Sequence, residues 1–324
     1  MEKRHVGVKM KLVILDKCTV TKGDVDLSPL ESFGECESYD LLQKSEIIRV
    51  LDDADAVICN KAKIDREIME SAKNLKFIGL FATGYNNIDV AAARELGITV
   101  CNVPGYSTSS VAQHTISLML ELAGNASSYA RSVAAGDWKR SKQFSYFFAP
   151  ISELSGKVLG IYGFGTIGAA VARIALAFDM KVIAYSRSKK SYEGVTFVDK
   201  DVIFRESDFL SFHCPLNDES ALAVNENSLS TMKKTAFIIN TARGGIIDEF
   251  ALADALKRGT IAGAALDVLT EEPMSDNCVL FGAPNCIITP HVAWAALETR
   301  VRLIGLVAQN LSSFLSGNPI NVVS

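Results

Sequence analysis

Midway along the chain, Gly163, Gly165 and Gly168 stand in a GxGxxG spacing. They follow an apolar run, VLGIYG, and open an amphipathic one, TIGAAVARIA. The spacing alone is a weak signal; between a strand and a helix it constrains the fold more than any other stretch. Gly163 permits a tight turn, Gly165 lets the backbone approach a pyrophosphate, and Gly168 lets the helix pack close to the sheet. Thr166 and Ile167 open that helix, whose free N–H groups and partial positive charge would face the phosphates. The expectation is a dinucleotide site; the alternative is a structural glycine turn.

Short apolar runs recur on both sides of this loop. Before it come KLVIL (11–15), DAVICN (55–60), FIGLF (77–81) and ITVCN (98–102). After it come KVIAY (181–185), FLSFHC (209–214), AFIIN (236–240), AGAALDV (262–268) and CIITP (286–290). Runs this apolar suit strands buried on both faces of a parallel sheet. Helical periods lie between them. From Thr166 to Phe178, residues Ile167, Val171, Ile174, Ala175 and Phe178 fall on one face. Asp248 reads as an N-cap, with Lys257 and Arg258 in the last turn before Gly259. The pattern is α/β, and 324 residues predict two domains. The helical stretch 300–317 is expected to pack back on the first domain. The division predicted is therefore 1–104 with 295–324, and 105–294. Residues 1–9 are given no role.

Composition narrows the function classes. A net charge of -4 and a pI near 5.7 argue against nucleic acid or an anionic membrane as partner. No apolar run reaches membrane-spanning length. The N-terminal stretch lacks the long apolar region of a secretory signal. The seven cysteines show no C-x-x-C and the four histidines no cluster, so a reducing cytoplasm and no metal are expected.

The strand KVIAY runs into Ser186, Arg187, Ser188, Lys189 and Lys190. Ser186, eighteen residues beyond Gly168, stands about where a NAD site places the acid that binds the ribose 2′-hydroxyl. Serine removes the repulsion an acid would exert on a 2′-phosphate, and Arg187 with Ser188 and the lysines offers it donors. NADP(H) is favoured over NAD(H). The alternative is a solvated basic turn, with NAD tolerated.

Three more stretches close predicted strands. INTARGGIIDE carries Arg243, flanked by Gly244 and Gly245, which favour a sharp turn. ALDVLTEEP carries Asp267, Glu271, Glu272 and Pro273, and TPHVAWA carries His291. Reducing a 2-keto acid needs a cation for the carboxylate, a proton donor for the new hydroxyl, and a carboxylate that favours the donor's protonated form. Arg, His and Glu fill those roles, although each alone has an ordinary structural reading. Trp294 either walls a pocket or wedges the packing.

Across nearly its whole length the chain resembles the D-isomer-specific 2-hydroxyacid dehydrogenases. GFGTIG, FHCPLN, INTARGGIIDE, ALDVLTEEP and TPHVAWA appear in the family's order. ATGYNNIDV and YSTSSVAQHT look most like its glycerate dehydrogenase/hydroxypyruvate reductase branch. The resemblance implies a Rossmann cofactor domain inserted in a flavodoxin-like substrate domain, both doubly wound. It implies a carboxylate-binding Arg243, an acid/base His291, and Glu272, beside Pro273, as its acidic partner. It implies that Asp267 bonds the nicotinamide carboxamide and that Thr241 and Ala242 lie near the nicotinamide. His213 and Pro215 would lie near the adenosine. Ala82, Thr83 and Gly84 match a loop whose N–H groups grip the substrate carboxylate. Ser186 departs from the NAD-using pattern.

The implied reaction is hydride transfer between a nicotinamide cofactor and a small D-2-hydroxy or 2-keto acid held between the domains, hydroxypyruvate or glyoxylate first. D-lactate or D-3-phosphoglycerate dehydrogenase activity is the alternative within the class. A cofactor-sensing, corepressor-like protein is the alternative outside it. A homodimer through the cofactor domain is also implied.

Overall fold

A computed structural model of the chain describes residues 10–188 and 190–324. Residues 1–9, and Lys189 of the basic stretch, lie outside the described residues. The chain forms two compact α/β units. One runs to Ser107 and takes in Ala295–Ser324; the other is Thr108–Trp294. The break expected after residue 104 falls three residues later, where the helix Thr108–Gly124 begins.

The first unit is a parallel sheet of β1 (Met10–Ile14), β2 (Gly34–Ser38), β3 (Ala56–Cys59), β4 (Phe77–Leu80) and β5 (Thr99–Cys101), in the order β2-β1-β3-β4-β5. That is the flavodoxin-like order. Every residue of β3 and β4 is buried. Each large apolar side chain so buried contributes about 1.5–3 kcal/mol. The C-terminal helix Leu297–Leu315 belongs to this unit. Phe314 packs on Phe77 with ring centroids 5.0 Å apart, and Asn310 Nδ2 donates to the Asn102 carbonyl at 2.8 Å. Arg300 forks onto both oxygens of Asp24 (2.9 and 2.7 Å), which lowers the Asp24 pKa. The unit is thus discontinuous in sequence and continuous in packing.

The second unit holds β6 (Val158–Tyr162), β7 (Lys181–Tyr185), β8 (Val195–Phe197), β9 (Phe209–Phe212), β10 (Phe237–Asn240), β11 (Gly263–Leu266) and β12 (Cys286–Ile288). The order is β12-β11-β10-β9-β6-β7-β8, all parallel. This is the Rossmann order with one strand added. Because the strands are parallel, their carboxyl ends share one edge of the sheet.

Two strands escaped the sequence reading, β2 and β8. Both are edge strands, and neither contains a buried residue. Phe178 is also corrected: the helix after the glycine loop is Thr166–Leu176, so Phe178 lies beyond it and is exposed. Asp248 does cap its helix, accepting from Phe250 N (3.0 Å) and Ala251 N (3.1 Å). Gly259 closes that helix with a φ of 65°.

Candidate active site

The glycine loop follows β6. Gly163 has a φ of 97°, and a Cβ there would stand 2.7 Å from Cys214, so turn and crowding both demand glycine. A Cβ on Gly168 would meet the Gly163 carbonyl oxygen at 2.6 Å. Gly165 is different. Its φ of −92° suits any residue, and a Cβ would find nothing within 4 Å. The fold does not need glycine there, whereas a ligand pressed against the backbone does. No side chain caps the helix Thr166–Leu176, so the N–H groups at Thr166 and Ile167 remain for an anion.

Beside this loop lies a cavity of about 480 Å³. Its walls include Gly163, Gly165, Ser186, Arg187, Ser188, Lys190, His213, Pro215 and Glu219. The Tyr162 hydroxyl, buried at the same wall, has no hydrogen-bond partner among the described residues. A buried donor left unmade costs about 1–3 kcal/mol. The Lys190 ammonium donates to the Phe164 carbonyl. Arg187 Nε stands 3.7 Å from Glu219 Oε2, and the Tyr185 hydroxyl donates to the other oxygen of Glu219. His213 Nε2 meets Ser211 Oγ at 2.9 Å, and loss of water around the ring lowers its pKa, so it is neutral near pH 7. Open space at Gly165, a free helix N-terminus, cations and an unpaired hydroxyl fit a dinucleotide.

The loops after β10, β11 and β12 carry the other groups. Arg243 follows β10 in extended backbone. Asn240, fully buried, braces its turn: Oδ1 accepts from Ala242 N (3.0 Å) and Nδ2 donates to the Arg243 carbonyl (2.8 Å). Thr241 Oγ1 meets Thr115 Oγ1 at 3.0 Å. The flanking glycines serve close approach rather than a left-handed turn. A Cβ on Gly244 would stand 1.9 Å from the Leu269 carbonyl carbon, and one on Gly245 3.0 Å from Leu216. Gly244 thereby lets the Arg243 turn lie against the backbone that leads to Glu272.

Glu272 precedes a cis Pro273. Its Oε1 accepts from Leu269 N at 3.0 Å, and its Oε2 lies 2.7 Å from His291 Nδ1. Nδ1 is the donor in that contact, because a carboxylate only accepts. The Nε2 edge of His291 makes no hydrogen bond among the described residues. His291 has a φ of 53°. Its N–H donates to the Asp267 carbonyl at 2.8 Å.

Asp267, 1% exposed, is the hub of this end. It accepts from Thr289 Oγ1 (2.6 Å), Val292 N (2.9 Å) and Ala293 N (2.8 Å), and His114 Nε2 lies 3.4 Å away. Burial alone would raise its pKa. The contacts from His114, Thr289 and the two N–H groups outweigh burial, and the pKa is lowered. Asp267 therefore ties down the loop that carries His291. Sequence reading missed Asn240, His114, Thr289 and Glu219. Asn240 and Thr289 sat inside the quoted motifs, but nothing marked the asparagine or threonine as a brace.

In the first unit, Ala82, Thr83 and Gly84 form the loop after β4. Thr83 Oγ1 donates to the Val103 carbonyl (2.7 Å), and the Thr83 carbonyl accepts from Asn102 Nδ2 (2.7 Å). The N–H groups of Thr83 and Gly84 have no partner among the described residues.

Comparison with known proteins adds a family. Residues 116–293 match the model of the D-isomer specific 2-hydroxyacid dehydrogenase NAD binding domain. A hydroxypyruvate reductase of Blautia hydrogenotrophica is 42% identical over 321 residues, covering 97% of this chain and 100% of the relative. A glycerate dehydrogenase of Methylorubrum extorquens is 38% identical, covering 97% and 98%. An NADPH-dependent glyoxylate/hydroxypyruvate reductase from Sinorhizobium meliloti, solved with NADP and malonate, superposes with a TM-score of 0.84. It is 29% identical, covering 98% of this chain and 97% of its own.

Proposed function

The chain belongs to the D-isomer specific 2-hydroxyacid dehydrogenases and is an oxidoreductase, and we propose that it reduces hydroxypyruvate or glyoxylate. The observation that carries this reading is the His291–Glu272 contact of 2.7 Å, which leaves Nε2 open on the strand edge that also bears Arg243. The names of the relatives point to the same acids.

A bound reduced nicotinamide supplies the hydride. Arg243 takes the substrate carboxylate and draws electron density from the neighbouring carbonyl. In the first unit, the loop of Ala82, Thr83 and Gly84 is assigned to carboxylate binding, with the Thr83 and Gly84 N–H groups unpartnered among the described residues. His291, protonated and held through Nδ1 by Glu272, gives the Nε2 proton to the carbonyl oxygen as C2 is reduced. One hydride and one proton turn the ketone or aldehyde into the alcohol. In reverse, neutral His291 takes the hydroxyl proton. Asp267 keeps the His291 loop in register, and its remaining accepting capacity is assigned to the nicotinamide carboxamide. Thr241 and Ala242 line that end.

The reading prefers NADP(H) to NAD(H), because Ser186, Arg187 and Ser188 wall the cavity. The second unit also bears an exposed aromatic surface, with Phe144 94%, Phe147 80% and Trp138 50% exposed. A second copy of the chain covering it would give the homodimer; a monomer by light scattering would contradict this. The seven free cysteines suit a reducing compartment, the cytoplasm. No helix among the described residues is long and apolar enough to cross a membrane.

The test is oxidation of NADPH and NADH with hydroxypyruvate, glyoxylate, pyruvate and 3-phosphohydroxypyruvate, followed by chiral analysis of the product. Fastest turnover on the first two acids, giving D-glycerate from hydroxypyruvate, is expected. Preference for pyruvate or the phosphorylated acid would overturn the substrate assignment.

A further inference from the structure

The strand-end acid of a NAD site is absent at Ser186, yet the cavity contains an acid. Glu219 comes from the loop after β9 and lines the same cavity as the basic turn. Its loop is firmly built. Asn217 Oδ1 accepts from the N–H groups of Glu219 and Ser220 (3.1 Å each), and Ser220 Oγ donates to the Pro215 carbonyl (2.7 Å). The Tyr185 hydroxyl, from the last residue of β7, fixes the carboxylate against the strand end. Arg187 is held less closely. Its Nε is 3.7 Å from Glu219, beyond hydrogen-bond distance, and its side chain is 66% exposed.

We propose that Glu219 sets the balance between the two dinucleotides, opposing a 2′-phosphate and accepting a hydrogen bond from a 2′-hydroxyl. The proposal rests on reading this cavity as the adenosine-ribose end of the site. A 2′-phosphate can draw Arg187 away without breaking a hydrogen bond, since charge-assisted forked contacts exceed an exposed pair at 3.7 Å. The carboxylate stays behind on Tyr185, facing the phosphate with like charge. With a 2′-hydroxyl the same carboxylate becomes an acceptor. Glu219 and Arg187 thus pull cofactor choice in opposite directions, and the missing acid at Ser186 is replaced from another loop.

The experiment titrates 2′,5′-ADP and 5′-AMP by calorimetry, then NADPH and NADH by fluorescence, into the full chain, Glu219→Gln and Arg187→Ala. In Glu219→Gln, affinity for 2′,5′-ADP and NADPH should rise roughly tenfold, while 5′-AMP and NADH weaken roughly two- to threefold. Glu219→Ala, which removes the charge without adding an amide, should move the ratio in the same direction. Arg187→Ala should weaken 2′,5′-ADP by about tenfold and leave 5′-AMP unchanged. If both glutamate variants leave the ratio unchanged while Arg187→Ala alters it, Glu219 is not the determinant and the inference fails alone. If Arg187→Ala leaves 2′,5′-ADP binding intact, or neither nucleotide binds the wild-type chain, the reading of the cavity fails and takes the inference with it.

Discussion

The two ends of the strand edge in the second unit are built differently. Around Asp267 the polar groups are tied together: three hydrogen bonds reach its carboxylate, Glu272 is braced by Leu269 N, and His291 is held at both backbone and ring. Around the cavity at β6 and β7 the ties are looser. Tyr162 Oη lacks a partner among the described residues, and Arg187 faces Glu219 across 3.7 Å. A general acid must be in place before substrate arrives, because misplacement costs rate directly. A cofactor's ribose end contributes affinity, and affinity tolerates exchange of partners. Under the proposed function, the proton-moving end is preorganised and the end that chooses the cofactor is adjustable.

The comparison can be broken at its rigid end first. Glu272→Gln keeps the shape of the pair and removes the carboxylate that accepts from His291 Nδ1. Turnover of the keto acid should fall about 100-fold with KM changed far less. A loss seen only in KM would make Glu272 a binding group.

The glycine loop offers a sharper contrast within one motif. Gly168→Ala drives a methyl into the Gly163 carbonyl and should destabilise the second unit by about 1–3 kcal/mol. Gly165→Ala meets nothing in the protein, so the melting temperature should hold while dinucleotide affinity falls roughly tenfold. Calorimetric melts with and without NADPH separate the two. Equal melting losses would mean that Gly165 serves the fold.

The smallest effect concerns pH. Asp267 has a depressed pKa in the folded chain. Its contribution to stability is present above its unfolded value of about 4 and is lost as pH falls through the folded value. Asp267→Asn should lower the melting temperature by several degrees at pH 7, and the gap from wild type should narrow in acid. A constant gap down to the acid transition would assign the loss to geometry rather than charge.

Much of this was legible in the sequence, for reasons that differ by residue. Buried strands such as FIIN and AVIC announce themselves because both faces are apolar. GECES and VTF, at sheet edges, carry no such signature. Arg243, Glu272 and His291 stood out as candidates because each lies in a stretch that follows a strand, where parallel sheets place ligands, and the family resemblance chose Glu272 over Glu271. Their supports did not stand out. Asn240 and Thr289 act through hydrogen bonds that depend on which strands are neighbours. Glu219 reaches the cavity beside Ser186 from a loop about thirty residues further along the chain, so only the fold brings it there. Gly244 was read as a turn residue, yet its need for glycine comes from Leu269, a contact invisible along the chain.

The central claim is that His291 moves the proton and leaves cofactor binding to the other end. The direct test is His291→Ala, with NADPH affinity and hydroxypyruvate turnover measured on the same preparation. The account predicts NADPH affinity within about twofold of wild type and turnover lower by about a thousandfold. Turnover close to wild type would contradict it.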